Sequence, residues 1–238
     1  MNIMFGSYDI PLNIENGRFS ISIEKAGKLY RYKREAFYGT EEKVLLFDNA
    51  KITLNPIEPV NKPKDITSYL LIEFEHPFVV GPGTSKPVYV KFPIEIGVFI
   101  SNYKKFEILD VLTLVKQKFT LYGDPARGMI CKYWESEVYP DIPEADPMME
   151  GIMEIKIENM TSRWIELTKA VFNAYDMRIY YNQDMVSMRS RMKIIGEQTA
   201  ETIFYKSPLR NNMKKSIERY IAGKVSVMGP KFVMEGGL

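Results

Sequence analysis

The stretch "PFVVGPGTSKPVYVKFP", residues 77–93, sets Gly81 and Gly83 around a proline and follows them with Thr84, Ser85 and Lys86. Those are the ingredients of a phosphate cradle. A P-loop needs G-x-x-x-x-G-K-[ST] between a strand and a helix, so that backbone N–H groups and a helix N-terminus meet the anion. Here the glycines stand two apart, and Pro87 leads into another extended run. A dinucleotide fingerprint would need glycine where Lys86 stands. The stretch is therefore expected to be a tight hairpin connection in which glycine takes positive φ.

Cys131 and His76 are each alone in their type. A Cys–His nucleophile pair could use both, but Met129, Cys131 and Tyr133 alternate like one strand face, which predicts a buried structural thiol. Glu73 and Glu75 share a strand face about 6.6 Å apart, a separation that carboxylate hydrolysis or a metal could use. The same pattern arises on any solvated strand, so they are weak metal candidates. The richest polar and aromatic cluster is "LYGDPARGMICKYW". Tyr-Gly-Asp-Pro makes a turn in which Asp124 can accept local backbone N–H groups. Tyr122, Asp124, Arg127, Lys132 and Trp134 are the expected ligand-binding residues, since recognition surfaces favour Arg, Tyr and Trp.

The elements that would position these groups are strands. The 238 residues are 45% hydrophobic and 13% aromatic, ample for a buried core, and the net charge of +2 calls for no nucleic acid or anionic membrane. A single cysteine and a single histidine exclude a disulfide framework or a Cys/His zinc site within one chain, and suit a reducing cytoplasm. No stretch reaches the ~18 apolar residues of a transmembrane helix, and the N-terminal segment does not read as a signal peptide. No cofactor is expected.

Period-two alternation dominates. "RFSISIEK" and "KLYRYKRE" flank a hairpin corner at Ala26-Gly27, and "EKVLLFDN" and "KITLNPI" read as the next pair. In "VYVKFPIEIGVFI", Val90, Phe92, Ile94, Ile96, Val98 and Ile100 are expected inward, with Lys91 and Glu95 opposite. Residues 134–154 hold seven carboxylates, three prolines and no basic residue, which is linker chemistry. The expected organisation is mainly β: a tandem β-sandwich of 1–145 and 146–238, the second unit immunoglobulin-like around an Asn-x-Thr-Ser turn. "SPLRNNMKKSIERYIAGK" predicts a C-terminal amphipathic helix over 208–222, with Leu209, Met213, Ile217, Tyr220 and Ile221 docked and Arg210, Lys214, Lys215 and Arg219 outward.

Taken together, "YLLIEFE", "FPIEIGVFI", "YGDP" followed by "CKYW", "TKAVFNAY" and "KFVME" resemble an uncharacterised archaeal family, a domain of unknown function, over nearly the whole chain. The resemblance implies an archaeal, soluble protein and no assigned activity. The residues themselves point first to a non-catalytic binding or scaffold module with a protein partner or a second copy of itself. A carboxylate- or metal-dependent hydrolase using Glu73, Glu75 and Asp124 is the alternative. Anionic-surface binding through the basic helix comes third.

Overall fold

The computed structural model describes residues 5–61, 66–102, 105–218 and 231–238. They form nineteen described strands: β1 (Gly6–Asp9), β2 (Leu12–Glu15), β3 (Phe19–Ala26), β4 (Leu29–Ala36), β5 (Gly39–Leu45), β6 (Lys51–Ile57), β7 (Tyr69–Val80), β8 (Ser85–Pro93), β9 (Glu95–Asn102), β10 (Lys105–Leu112), β11 (Phe119–Tyr122), β12 (Met129–Ser136), β13 (Glu150–Asn159), β14 (Ile165–Asn173), β15 (Tyr180–Tyr181), β16 (Val186–Ile194), β17 (Ala200–Phe204), β18 (Lys214–Lys215) and β19 (Phe232–Met234). A single 3-10 turn, Ala174–Asp176, is the helical element among the described residues. The protein is mainly β, as alternation predicts.

The chain divides into two compact units, Met1–Asn55 with Ile96–Leu114, and Pro56–Glu95 with Val115–Leu238. Each is therefore built from two separate pieces of chain.

In the first unit β2, β3, β4 and β5 form a meander, and β1, β6, β9 and β10 a second sheet. The β3–β4 corner is the expected one: Ala26 opposes Leu29, and Gly27 takes φ 68°. Strands β5 and β6 are not the expected pair. Among the described residues β5 forms its ladder with β4, whereas β6 lies between β1 and β9. The reason is burial: Ile52, Thr53, Leu54 and Asn55 are all buried whichever way they point, and a strand covered on both faces belongs inside a sheet.

In the second unit β11, β12, β7 and β14 form one sheet. The other runs β18, β15, β16, β13, β8, with β17 added beside β16 and β19 beside β17. β7 with β14, and β8 with β13, are antiparallel pairs. The chain passes from β7 to β8 at 81–84 and from β13 to β14 at 160–164, so one antiparallel ribbon leaves one sheet and enters the other. Residues 81–84 are thus a crossing between sheets and not a hairpin, and the same holds for the Asn159–Ser162 turn.

Asn159, 1% exposed, holds the two crossings together. Its side-chain amide donates to the carbonyls of Val80 (2.9 Å), Gly81 (3.1 Å) and Arg163 (2.8 Å). Its backbone carbonyl accepts from Gly83 N–H at 3.0 Å, and its own N–H donates to Thr84 O at 2.9 Å. Away from this junction Phe172 packs on Phe204 with ring centroids 5.3 Å apart, and Thr202 Oγ1 donates to Val171 O.

Two further expectations need correction. The segment 137–149 is not a free linker. Tyr139 exchanges both backbone hydrogen bonds with Tyr89 (2.8 and 2.9 Å), and Ile142 and Ala145 pack on a buried cluster of Ile152, Tyr180, Met185 and Met213. Its apolar residues, few as they are, find a sheet to cover.

Nor is there a helix over 208–218. Lys214 and Lys215 pair with Tyr181 and Tyr180, and Ser216 N–H donates to Ile179 O. Asn211-Asn212 breaks the helical run with two residues that favour turns, and pairing to β15 takes the backbone bonds a helix would use. Met213 and Leu209 dock on the protein as expected, but from turn and strand, while Arg210, Lys214 and Lys215 are exposed. Arg219, Tyr220 and Ile221 lie outside the described residues.

Candidate functional site

The residues expected to form a ligand patch do not converge. Strand β11 pairs with β12 so that Tyr122 opposes Met129 and Phe119 opposes Lys132. Side chains alternate along a strand, so Tyr122 stands on the face of Met129 and Cys131, and Lys132 and Trp134 on the other. Tyr122 is buried; its hydroxyl accepts from Gly236 N–H and donates to Gly237 O, both at 3.0 Å. Asp124 does what its sequence suggests, accepting from Ala126 N–H at 2.8 Å in the turn, and Arg127 is exposed beside it. Trp134 is half-buried, its Nε1 buried without a hydrogen-bond partner.

Lys132 is the surprise. It is 2% exposed and donates to Glu95 Oε1 at 3.0 Å; Glu95 is fully buried and takes Asn61 N–H on Oε2 at 2.9 Å. Glu95 was expected to face solvent, opposite its apolar neighbours. Alternation places Ile94, Ile96 and Val98 inside as expected, but residues 92–99 are all buried, so the opposite face of this stretch is covered too and Glu95 lies inside with it. Burial pushes the Glu95 carboxyl up and the Lys132 ammonium down, each opposed by the charge of the other.

The first unit contains a comparable closed group. Arg34 Nε and Tyr32 OH both donate to Asp110 Oδ2 at 2.9 Å, all three residues being at most 5% exposed. Burial, then the Asp110 charge, pushes the Tyr32 phenol far above its ordinary value.

Glu73 and Glu75 share a face, yet Glu73 serves Tyr133. Its acceptor hydrogen bond and charge, together with burial, push that phenol up to about 12. Among the described residues no group of three acidic, histidine or cysteine side chains is placed to hold a metal. Cys131 is fully buried, its thiol raised to about 12 by desolvation, whereas His76 is exposed. The register of β12 on β7 puts Cys131 level with Tyr69. His76 lies seven residues further on, about 23 Å along the strand. They form no dyad.

What the sheet register does bring together is a row that the sequence gives in five separate pieces. Tyr139 opposes Tyr89, Tyr89 opposes Glu154, Glu154 lies level with Arg189, and Tyr205 N–H donates to Arg189 O. Residues level across a sheet share a face, and neighbouring strands lie ~4.8 Å apart. The five side chains therefore make a transverse line about 19 Å long.

At its centre Arg189 Nε and Nη2 both donate to Glu154 Oε1 at 2.8 Å, and Nη1 donates to Ser207 Oγ at 3.2 Å. The guanidinium lies 5.6 Å from the Tyr205 ring centroid. At the other end Lys91 stands 5.9 Å from the Tyr139 ring and 3.5 Å from Glu150 Oε2. Burial, then the charges of Glu154 and Asp141, raise the Tyr89 phenol. All three tyrosines are half-buried, with Arg189 35% exposed at its side chain. Strand patterning marks Tyr89, Glu154 and Arg189 as outward, but no sequence signal aligns them, because register between distant strands is a tertiary fact.

The family model described as "Protein of unknown function (DUF432)" matches residues 4–235, so the chain belongs to that family. No curated protein matches the chain. No solved structure matches it either.

Proposed function

We propose that the protein is a binding module without catalytic chemistry of its own, built on sandwich-like β units, whose ligand face is the outer side of the β8–β13–β16–β17 sheet. The observation that carries the reading is the row Tyr139–Tyr89–Glu154–Arg189–Tyr205. Aromatic rings offer large contact area at low entropic cost, and a two-pronged Arg–carboxylate pair gives fixed hydrogen-bonding directions. Arg189 neutralises Glu154 in place, which suits recognition better than proton transfer. Elsewhere the strongly buried ionisable groups, Lys132 with Glu95 and Arg34 with Asp110, are closed on each other. An archaeal source and a cytoplasmic setting belong to the same reading, resting on the sequence strings and the single cysteine. Among the described residues no helix is long and apolar enough to cross a membrane.

Tyrosine-selective ¹³C labelling tests this. Titration with a panel of saccharides, single-stranded oligonucleotides and peptides should move the ring signals of Tyr89, Tyr139 and Tyr205 and leave buried Tyr122 in place. If no member moves the row, or if ligands shift other surfaces and spare it, the reading falls.

A further inference from the structure

We infer that a single-stranded nucleic acid binds this face with its phosphates along β16, over Arg189, Arg191 and Lys193. This rests on the binding reading above and names its ligand class. The first ground is charge. Next to the row, Arg191 lies level with Lys156 and Ile203, and Lys193 lies level with Glu158 and Glu201. Lys156 Nζ and Arg191 Nε share the Glu158 carboxylate, at 2.8 and 3.9 Å, and Lys231 takes Glu201 at 2.8 Å. Lys193 makes no ion pair among the described residues. Four cations thus stand around two carboxylates. The net charge of +2 over the whole chain conceals this local excess.

Depth sharpens it. The side chains of Glu154, Glu158 and Glu201 are 12%, 17% and 19% exposed, against 35%, 34%, 43% and 57% for Arg189, Arg191, Lys156 and Lys231. The carboxylates lie low, and the layer that meets a ligand is cationic. The Lys156 hydrogen bond, then the charges of Lys156, Arg191 and Lys193, hold the Glu158 carboxyl below its ordinary range against burial. Lys231, then Lys193 and Arg191, do the same for Glu201. Arg191 is held to Glu158 by attraction alone, since its Nε is buried without a hydrogen-bond partner. A phosphate can take this guanidinium without a hydrogen bond being broken, and the planar fork suits its oxygens.

The second ground is geometry. Arg189, Arg191 and Lys193 hold alternate positions of one strand and share its outer face ~6.6 Å apart, close to the repeat of phosphates along an extended single strand. Tyr205 stands one strand away at the Arg189 end, its ring centroid 5.6 Å from the guanidinium. A base turned off the backbone there meets the ring. An aromatic platform beside a cationic track holds single strands without reading their sequence. The far end of the row is acidic, with Glu137 beside Tyr139 and Asp141 beside Tyr89, which keeps the phosphates to the β16 side.

The test titrates the full chain with fluorescent dT10 and rU10, and with poly-L-glutamate as a polyanion that cannot stack. At least one oligonucleotide should bind, and log K should fall against log salt with a slope of about −2, as for about three neutralised phosphates. Arg191→Gln and Lys193→Gln should each make that slope shallower by roughly 0.7, with circular dichroism unchanged. Tyr205→Leu should weaken binding about tenfold and leave the slope alone, and Tyr205→Phe should retain most of the affinity. Poly-L-glutamate binding as tightly as the oligonucleotides, indifferent to Tyr205→Leu, would overturn the assignment in favour of an acidic partner. A slope that neither glutamine variant changes would overturn it as well. If no oligonucleotide binds while a saccharide or peptide moves the row tyrosines, this inference falls and the binding face stands. If nothing moves them, both fall together.

Discussion

The ring of Phe92 lies across the Cα of Gly151, its partner in the β8–β13 ladder. A Cβ added to Gly151 would fall 2.5 Å from the ring's Cε1 and 3.1 Å from Cε2, and both residues are buried. The glycine is required for the space above it and not for a special backbone angle. Gly151→Ala should therefore cost about 1–3 kcal/mol through overpacking. Urea unfolding of the variant checks this. The double variant Gly151→Ala with Phe92→Leu should recover part of the loss.

The Lys132–Glu95 pair gives a prediction with an internal control. Lys132→Met leaves Glu95 buried with no ammonium opposite its charge, although Asn61 still donates to it, and should cost about 3–5 kcal/mol. Adding Glu95→Leu removes the stranded carboxylate, and the double variant should approach wild-type stability. A double variant as unstable as the single one would show that the pair does more than satisfy itself.

Cys131 should behave as an inert thiol. Its alkylation by iodoacetamide in the native protein should be very slow and become fast in denaturant. The pH dependence follows from its raised value, about 12 against an ordinary 9.0. The folded state holds the proton more tightly than the unfolded chain, so this contribution to stability is fully present below pH 9. It is lost as pH rises through the interval from 9 to about 12. Denaturant midpoints measured across that interval should fall less steeply in Cys131→Ala than in wild type.

Asn159 ties the two sheet crossings, and its loss should be felt at both. Asn159→Ala removes the amide donations to Val80, Gly81 and Arg163; the buried Val80 carbonyl loses that donor, and the variant should cost roughly 1–3 kcal/mol. Trp164 lies flat on Gly81, where an added Cβ would come within 3.0 Å of the indole. Its fluorescence, read in a Trp134→Phe background, should therefore shift with the same substitution. An unchanged emission would mean that the indole is held independently of the junction.

The acidic segment yields a test of the expected boundary near residue 145. The Tyr89–Tyr139 bridge and the docking of Ile142 and Ala145 favour resistance to limited proteolysis between Tyr139 and Glu150. Preferential cutting there would instead support a linker and the division of the chain at that point.

Period-two alternation was enough to make the protein mainly β, to place the Ala26-Gly27 corner, to bury Val90, Phe92, Ile96 and Val98, and to mark Cys131 as structural. Those features depend on which side of a strand a residue points to, and that is local: it follows from the two-residue repeat of an extended chain. The Asp124 turn was legible for the same reason, since an aspartate reaches backbone N–H groups two residues away. Partnership between strands is different. Whether β5 pairs with β6, or β7 with β8, depends on segments far away in sequence that compete for the same edge, and alternation is silent on that choice. Over 208–218 the expected helix was lost to such a competition, in which β15 offered Lys214 and Lys215 backbone bonds that no local propensity could foresee. Lys132 and Glu95, read as outward, face each other inside because residues 92–99 and 131–132 are covered on both strand faces, which alternation cannot tell. The row from Tyr139 to Tyr205 belongs wholly to this second class. Four of its residues span the 67 positions from Tyr139 to Tyr205, with Tyr89 a further 50 before them, and only the register of three strand pairings and one isolated bridge sets them in one line.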